Sequence, residues 1–117
     1  MRLPPVLRLK ASRDFARLRA QGRSTPGRHL VLSVLRVPET ARFQFGLITT
    51  KKLGIAVIRN RIRRRLREIV REHQTQLLDG LHLVIIARWR AADADLDELR
   101  KDFLRTAERA GILRPTS

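Results

Sequence analysis

No cysteine occurs in this chain, which excludes disulfides, thiolate nucleophiles and cysteine-ligated metals, and permits a reducing compartment. Tyrosine is absent too, and aromatic residues make up only 4% of the sequence, four phenylalanines and the lone Trp89. Acidic side chains are few. Asp and Glu total 11 against 26 Lys and Arg, a formal net charge of +15. No apolar run approaches membrane-spanning length, and the opening MRLPPVLRLK has no apolar core of a secretion signal. Internal repeats and low-complexity tails are missing as well. These absences predict a soluble, cytoplasmic protein with no membrane partner. With 117 residues, a single domain with one modest core is expected over 1–117, with 1–8 as an extended lead-in and 112–117 as a tail. A charge imbalance of this size opposes compaction by self-repulsion, so a polyanionic partner is its natural explanation.

What is abundant is arginine. Only Lys10, Lys51, Lys52 and Lys101 are lysines, and arginine offers planar, bidentate contacts to phosphate and can stack on bases. The densest stretch, KKLGIAVIRNRIRRRLREIVREH, runs from Lys51 to His73. Around Ile62, residues Ile58, Leu66, Ile69 and Val70 share one side of a helical wheel. Arg63, Arg64, Arg67 and Arg71 fall opposite with Asn60, while Arg59, Arg61 and Arg65 flank the apolar stripe. Between Arg59 and Arg71 only Glu68 compensates. Like charges at i,i+4, such as Arg59 with Arg63 and Arg63 with Arg67, destabilise an isolated helix by about 0.2–0.5 kcal/mol per pair. A nucleic-acid partner would offset that repulsion.

Around this stretch the pattern reads α, β, β, α, β, α. Ser12 is expected to cap a first helix that carries Asp14, Phe15 and Leu18 and closes at Gly22. Gly22–Gly27 reads as a loop. Arg28–Val37 and Arg42–Thr49 read as strands, the second with an antiparallel, half-buried alternation. The nearly continuous apolar run Leu81–Ala87 predicts a central strand, and a last helix starts near Asp93 or Asp95 and stops at Gly111. An α+β sandwich with three helices packed on one side of a small, mainly antiparallel sheet satisfies every apolar face.

The run GLITTKKLGIAVIRNRIRRRLREIVR closely resembles the signature of bacterial ribonuclease P protein subunits, built on Arg59-Asn60-Arg61 and preceded by Lys51-Lys52-x-Gly54. Arg8-Leu9 with Asp14-Phe15, and the segment LVIIAR from Leu83 to Arg88, extend the likeness over nearly the whole chain. The resemblance implies a two-layer α/β sandwich of about four strands, with a left-handed βαβ crossover. It also implies partnership with a catalytic RNA that removes the 5′ leader of precursor tRNA, using Mg²⁺ bound by the ribonucleoprotein; no cofactor is expected on the protein alone, and a protein homodimer is not indicated. Carried over by position, Lys51, Lys52, Arg59, Asn60, Arg61, Arg63, Arg64 and Arg67 are the expected contacts to RNA. Asn60 could instead cap the helix.

In the leader cleft the chain departs from the family pattern. Single strands are commonly held on aromatic platforms, yet Phe15 is followed one turn later by Arg19, and Ser33 stands beside Val31 where an aromatic is frequent. The cleft candidates are therefore Phe15, Arg19, Val31, Ser33, Arg88 and Trp89. Core packing is the alternative for Phe15, and partial burial the alternative for Trp89. Asp93, Asp95, Asp97 and Glu98 could be imagined as a Mg²⁺ site, but their place at a helix start fits capping and dipole compensation better. His29, His73 and His82 are scattered, so no catalytic or metal-binding residue is expected. The expected role is an RNA-binding subunit; an RNA-binding protein of a ribosome-like assembly is the alternative.

Overall fold

The computed structural model describes residues 7–9 and 11–115. Three helices and four strands follow the chain: α1 (Ser12–Gln21), β1 (Arg23–Pro26), β2 (Leu30–Arg36), β3 (Phe43–Ile48), α2 (Ala56–His73), β4 (Leu81–Ala87) and α3 (Leu96–Ala110). Single 3₁₀ turns at Lys51–Leu53 and Trp89–Asp93 precede α2 and α3. The sheet order is β1-β2-β4-β3, with β1–β2 and β2–β4 antiparallel and β3–β4 parallel.

The run LHLVIIA becomes the interior strand, as its apolar character on both faces requires. Leu81, Leu83, Ile85 and Ala87 join Leu30, Leu32, Phe43 and Phe45 in the main core with the buried stripes of α2 and α3. Val84 turns the other way and packs with Leu9 and Leu18, bordered by Phe15, Leu35, Ile48 and Ile86. The helices therefore do not share one side. Because β4 is apolar on both faces, α1 covers part of the second face while α2 and α3 cover the first.

Other expectations need correction. β3 pairs parallel with β4, since its alternation reports one buried face and not the direction of its neighbour; the 18-residue α2 carries the chain back to start β4 in the same sense. Gly22–Gly27 is no simple loop, because β1 forms an edge strand within it, with Arg23 opposite Val34 and Pro26 opposite Val31. Ala11 occupies the cap position of α1 and no side chain caps the helix, so Ser12 does not have that role. Of the expected lead-in, residues 1–6 lie outside the described residues, but Leu7 is buried and Arg8 bridges to Phe45 along the free edge of β3. The tail is likewise held as far as Leu113: Ile112 is buried and Leu113 bridges to Leu77.

α3 starts as the sequence suggests. The Asp95 carboxylate accepts from Glu98 N–H (2.8 Å), the Glu98 carboxylate accepts from Asp95 N–H (3.2 Å), and Gly111 ends the helix at φ 73°. One interior anchor was not anticipated. Asp102, 5% exposed on α3, accepts the backbone N–H groups of Arg28 (2.9 Å), His29 (2.9 Å) and Leu30 (3.0 Å), fixing the entry to β2.

Candidate RNA-binding surface

α2 emerges with its apolar stripe fully used: Ile62, Leu66, Ile69 and Val70 are buried and Ile58 is half-buried. Its arginines divide by what they reach. On the flank facing β4, the Arg61 guanidinium donates to the Ala92 carbonyl (3.2 Å) and that of Arg65 to the Ala94 carbonyl (2.6 Å), clamping the turn after β4 against the helix. Near the C-terminal end, Arg71 pairs with Glu68, and the Glu72 carboxylate accepts from Arg100 of α3 (3.0 and 3.2 Å). The Arg71 hydrogen bond holds Glu68 below the usual carboxylate range, and the same contact raises Arg71.

That leaves Arg59, Arg63, Arg64 and Arg67, none of which forms an ion pair among the described residues. Arg64 is exposed, and Arg63 donates to the Asn60 Oδ1 (2.9 Å). Asn60 lies inside the helix, well past its start, so the capping alternative is excluded; its side chain braces Arg63 instead. Lys51 and Lys52 sit exposed on the preceding 3₁₀ turn. From Thr40 to Arg67 the chain contains no Asp or Glu at all. The start of α2 carries no acidic residue and no side-chain cap, so the positive end of its dipole adds to the same field.

Arg63 and Arg67 reach over the β3 edge. Together with Arg8, Leu9, Phe15 and the backbone around Gly46 they line a groove of about 280 Å³. Three guanidinium-bearing side chains thus converge beside one aromatic ring. Gly46 makes this possible, because a Cβ there would stand 2.7 Å from the Phe15 ring carbons Cε1 and Cζ. A glycine inside an otherwise alternating strand was the available signal for this close approach. Arg8, Leu9 and Gly46 were missed as site residues because their partners lie far away in sequence.

Phe15 also borders a second, smaller groove of about 140 Å³ on the sheet face, lined with Leu18, Arg19, Ser24, Ser33, Ile48, Val84 and Ile86. The strand register sets two rows on this face, Ser24, Ser33, Val84 and Gly46, then Pro26, Val31, Ile86 and Ile48; of these Ser24, Ser33, Val84, Ile86 and Ile48 line the groove. Both grooves fall short of the roughly 300–1,000 Å³ of a small-molecule pocket, but as adjoining troughs they can hold an extended strand. Val31 lies in the neighbouring row, outside that lining; Phe15, Arg19 and Ser33 are thus brought together. Arg88 and Trp89 are not. Arg88 donates to the Gly27 carbonyl (2.9 Å) and braces the turn between β1 and β2, while Trp89 lies beyond the groove and is 62% exposed.

Among the described residues, no group of three or more His, Asp or Glu is placed to hold a metal ion. No helix among them is long and apolar enough to cross a membrane.

The Ribonuclease P family profile matches residues 3–111. The ribonuclease P protein component of Symbiobacterium thermophilum is 42% identical over 106 residues, covering 91% of this chain and 92% of that protein. That of Syntrophomonas wolfei is 36% identical, covering 90% and 87%. Among solved structures, the RNase P protein of Staphylococcus aureus superposes with a TM-score of 0.86 at 30% identity, covering 92% of this chain and 98% of that one. The Thermotoga maritima protein gives 0.78 at 25% identity, covering 87% and 96%.

Proposed function

This chain belongs to the ribonuclease P protein family, and on that premise we propose how its two surfaces divide the work of tRNA 5′ maturation. It is an RNA-binding subunit of an endoribonuclease whose catalytic RNA is a separate part. The outward arginines of α2, with Lys51 and Lys52, grip the catalytic RNA. The grooves on either side of Phe15 take the single-stranded 5′ leader of precursor tRNA.

The observation that carries this reading is the acid-free segment from Thr40 to Arg67, folded so that Arg59, Arg63, Arg64 and Arg67 have no ion pair among the described residues. Guanidiniums held this way make bidentate phosphate contacts and release counterions when RNA binds. The adjoining grooves add what a phosphate grip lacks, an apolar floor and one aromatic ring for unpaired bases. Mg²⁺ belongs to the ribonucleoprotein in this reading. No carboxylate cluster among the described residues is placed to hold it.

The test is cleavage of a precursor tRNA by a cognate catalytic RNA at low Mg²⁺, with and without this protein. The protein is expected to stimulate cleavage and to tighten binding of the precursor more than that of mature tRNA. Binding without either effect would favour an RNA-binding protein of another assembly.

A further inference from the structure

Three large apolar side chains are exposed among the described residues: Ile55 (69%), Val57 (70%) and Trp89 (62%). Ile55 and Val57 stand at the first turn of α2, and Trp89 opens the 3₁₀ turn that packs against Lys51–Leu53. The same turn is clamped to α2 through Arg61 and Ala92. The Arg90 guanidinium lies 5.3 Å from the centre of the Trp89 ring, so one face of the indole carries a cation and the rest is open to solvent.

The strand register says where this platform lies. Ile48 and Ile86 are paired at the ends of the parallel strands β3 and β4, so Lys51-Lys52 and Arg88-Trp89 emerge at the same end of the sheet. Ile48 and Ile86 also line the sheet groove. Trp89 follows Ile86 by three residues, about 10 Å of extended chain. The groove thus opens toward the end of the sheet from which the turns carrying Lys51, Lys52 and Trp89 emerge.

We propose that Trp89, backed by Arg90 on a turn packed against the Lys51–Leu53 turn, is a stacking platform for one unpaired nucleobase of the single-stranded leader, just beyond the sheet groove. It supplies the aromatic surface that the groove itself, with Phe15 alone, lacks. Charge selects the occupant, since a phosphate-linked strand matches a surface of lysines and arginines. An indole between a guanidinium and a base is a sequence-tolerant contact. The inference rests on the leader-binding reading above and extends it to a residue outside the groove.

The chain has a single tryptophan, so its fluorescence reports this site alone. The holoenzyme, assembled with catalytic RNA, would be titrated with precursor tRNAs carrying a short or a long leader, and with oligo-glutamate as an acidic-protein probe. Emission is expected to be quenched by the long leader only. Trp89→Ala should weaken the long-leader precursor about tenfold and leave the short-leader precursor unchanged, while Trp89→Phe should keep most of the affinity. Quenching complete on addition of catalytic RNA, before any precursor, would assign the base to that RNA and overturn the proposal. Equal quenching by oligo-glutamate would overturn it in favour of a protein site. A silent indole in a complex that still cleaves would remove the platform but leave the leader reading intact; a complex that is not stimulated at all would remove both.

Discussion

The outward face of α2 and the grooves around Phe15 lie side by side, yet they are made in opposite ways. The α2 surface comes from one continuous stretch, and its chemistry is charge: guanidiniums that pair with no carboxylate among the described residues. The grooves draw on α1, all four strands, Arg8 and Leu9, and share only Arg63 and Arg67 with α2; what they add to charge is shape, an apolar floor with one ring set over a glycine. A local, charged surface can grip any phosphate backbone, and its strength follows salt. A nonlocal trough is specified by packing, and its fit depends on the fold that assembles it. The difference predicts that the two regions fail differently under mutation.

The largest separation should come from removing the outward charges together. Arg63→Ala, Arg64→Ala and Arg67→Ala combined are expected to weaken binding to the catalytic RNA by roughly a thousandfold, about 4 kcal/mol, at low salt. The dependence of log K on log salt should fall by roughly two to three units. Filter binding across a potassium chloride series measures both. A lower affinity with an unchanged slope would mean that these arginines act through packing and not through phosphate. Arg61→Ala should behave differently from Arg64→Ala, because Arg61 clamps Ala92 and its loss loosens the turn that carries Trp89.

Second in size is Asp102→Ala. It strips the partner from three backbone N–H groups at the entry to β2 and should cost roughly 3 kcal/mol of stability in urea denaturation. Just above its unfolding threshold the variant should retain α2-driven, salt-sensitive RNA binding while losing preference for a precursor over mature tRNA. Simultaneous loss of both would show that the two regions are not separable.

Smaller still is Gly46→Ala. The new methyl would meet the Phe15 ring at 2.7 Å, so ring or strand must shift, at a cost of about 1–2 kcal/mol. The salt slope for catalytic RNA should not change, while leader-dependent affinity should fall. If leader affinity is untouched, Phe15 is a core residue and the trough does not depend on it.

The same contrast explains how far the sequence could be read. The helical wheel identified the buried stripe of α2, and the continuous apolar run identified β4 as the interior strand, because both signals are local and periodic. Asp95 and Gly111 marked the ends of α3 for the same reason. What stayed hidden depends on contacts distant in sequence. Nothing local shows that β3 runs parallel to β4, that β1 exists, or that Arg8 comes to lie with Arg63 and Arg67. Wheel position also could not tell which arginines are spent inside the fold. Arg61 and Arg65 look as available as Arg59 until the turn after β4 is seen beneath them. Arg88, a groove candidate by sequence, holds the Gly27 carbonyl, while Trp89 lies past the end of the trough.

The finest test concerns where the charged region stops. Glu68 is held below the usual carboxylate range by its hydrogen bond from Arg71, which is raised in turn. A depressed carboxylate contributes stability above its unfolded pKa of about 4.3 and loses it as the pH falls through the lower folded value. Wild type and Glu68→Gln should therefore differ in thermal stability near neutral pH, and the difference should vanish below that window. Both groups are solvent-accessible, so the effect is small. Its consequence for RNA is more telling. Glu68→Gln removes the only carboxylate between Glu39 and Glu72 and should steepen the salt slope by less than one unit if RNA extends as far as Arg71. An unchanged slope would end the contact surface at Arg67, one turn earlier, and confine the phosphate grip to the half of α2 that adjoins the grooves.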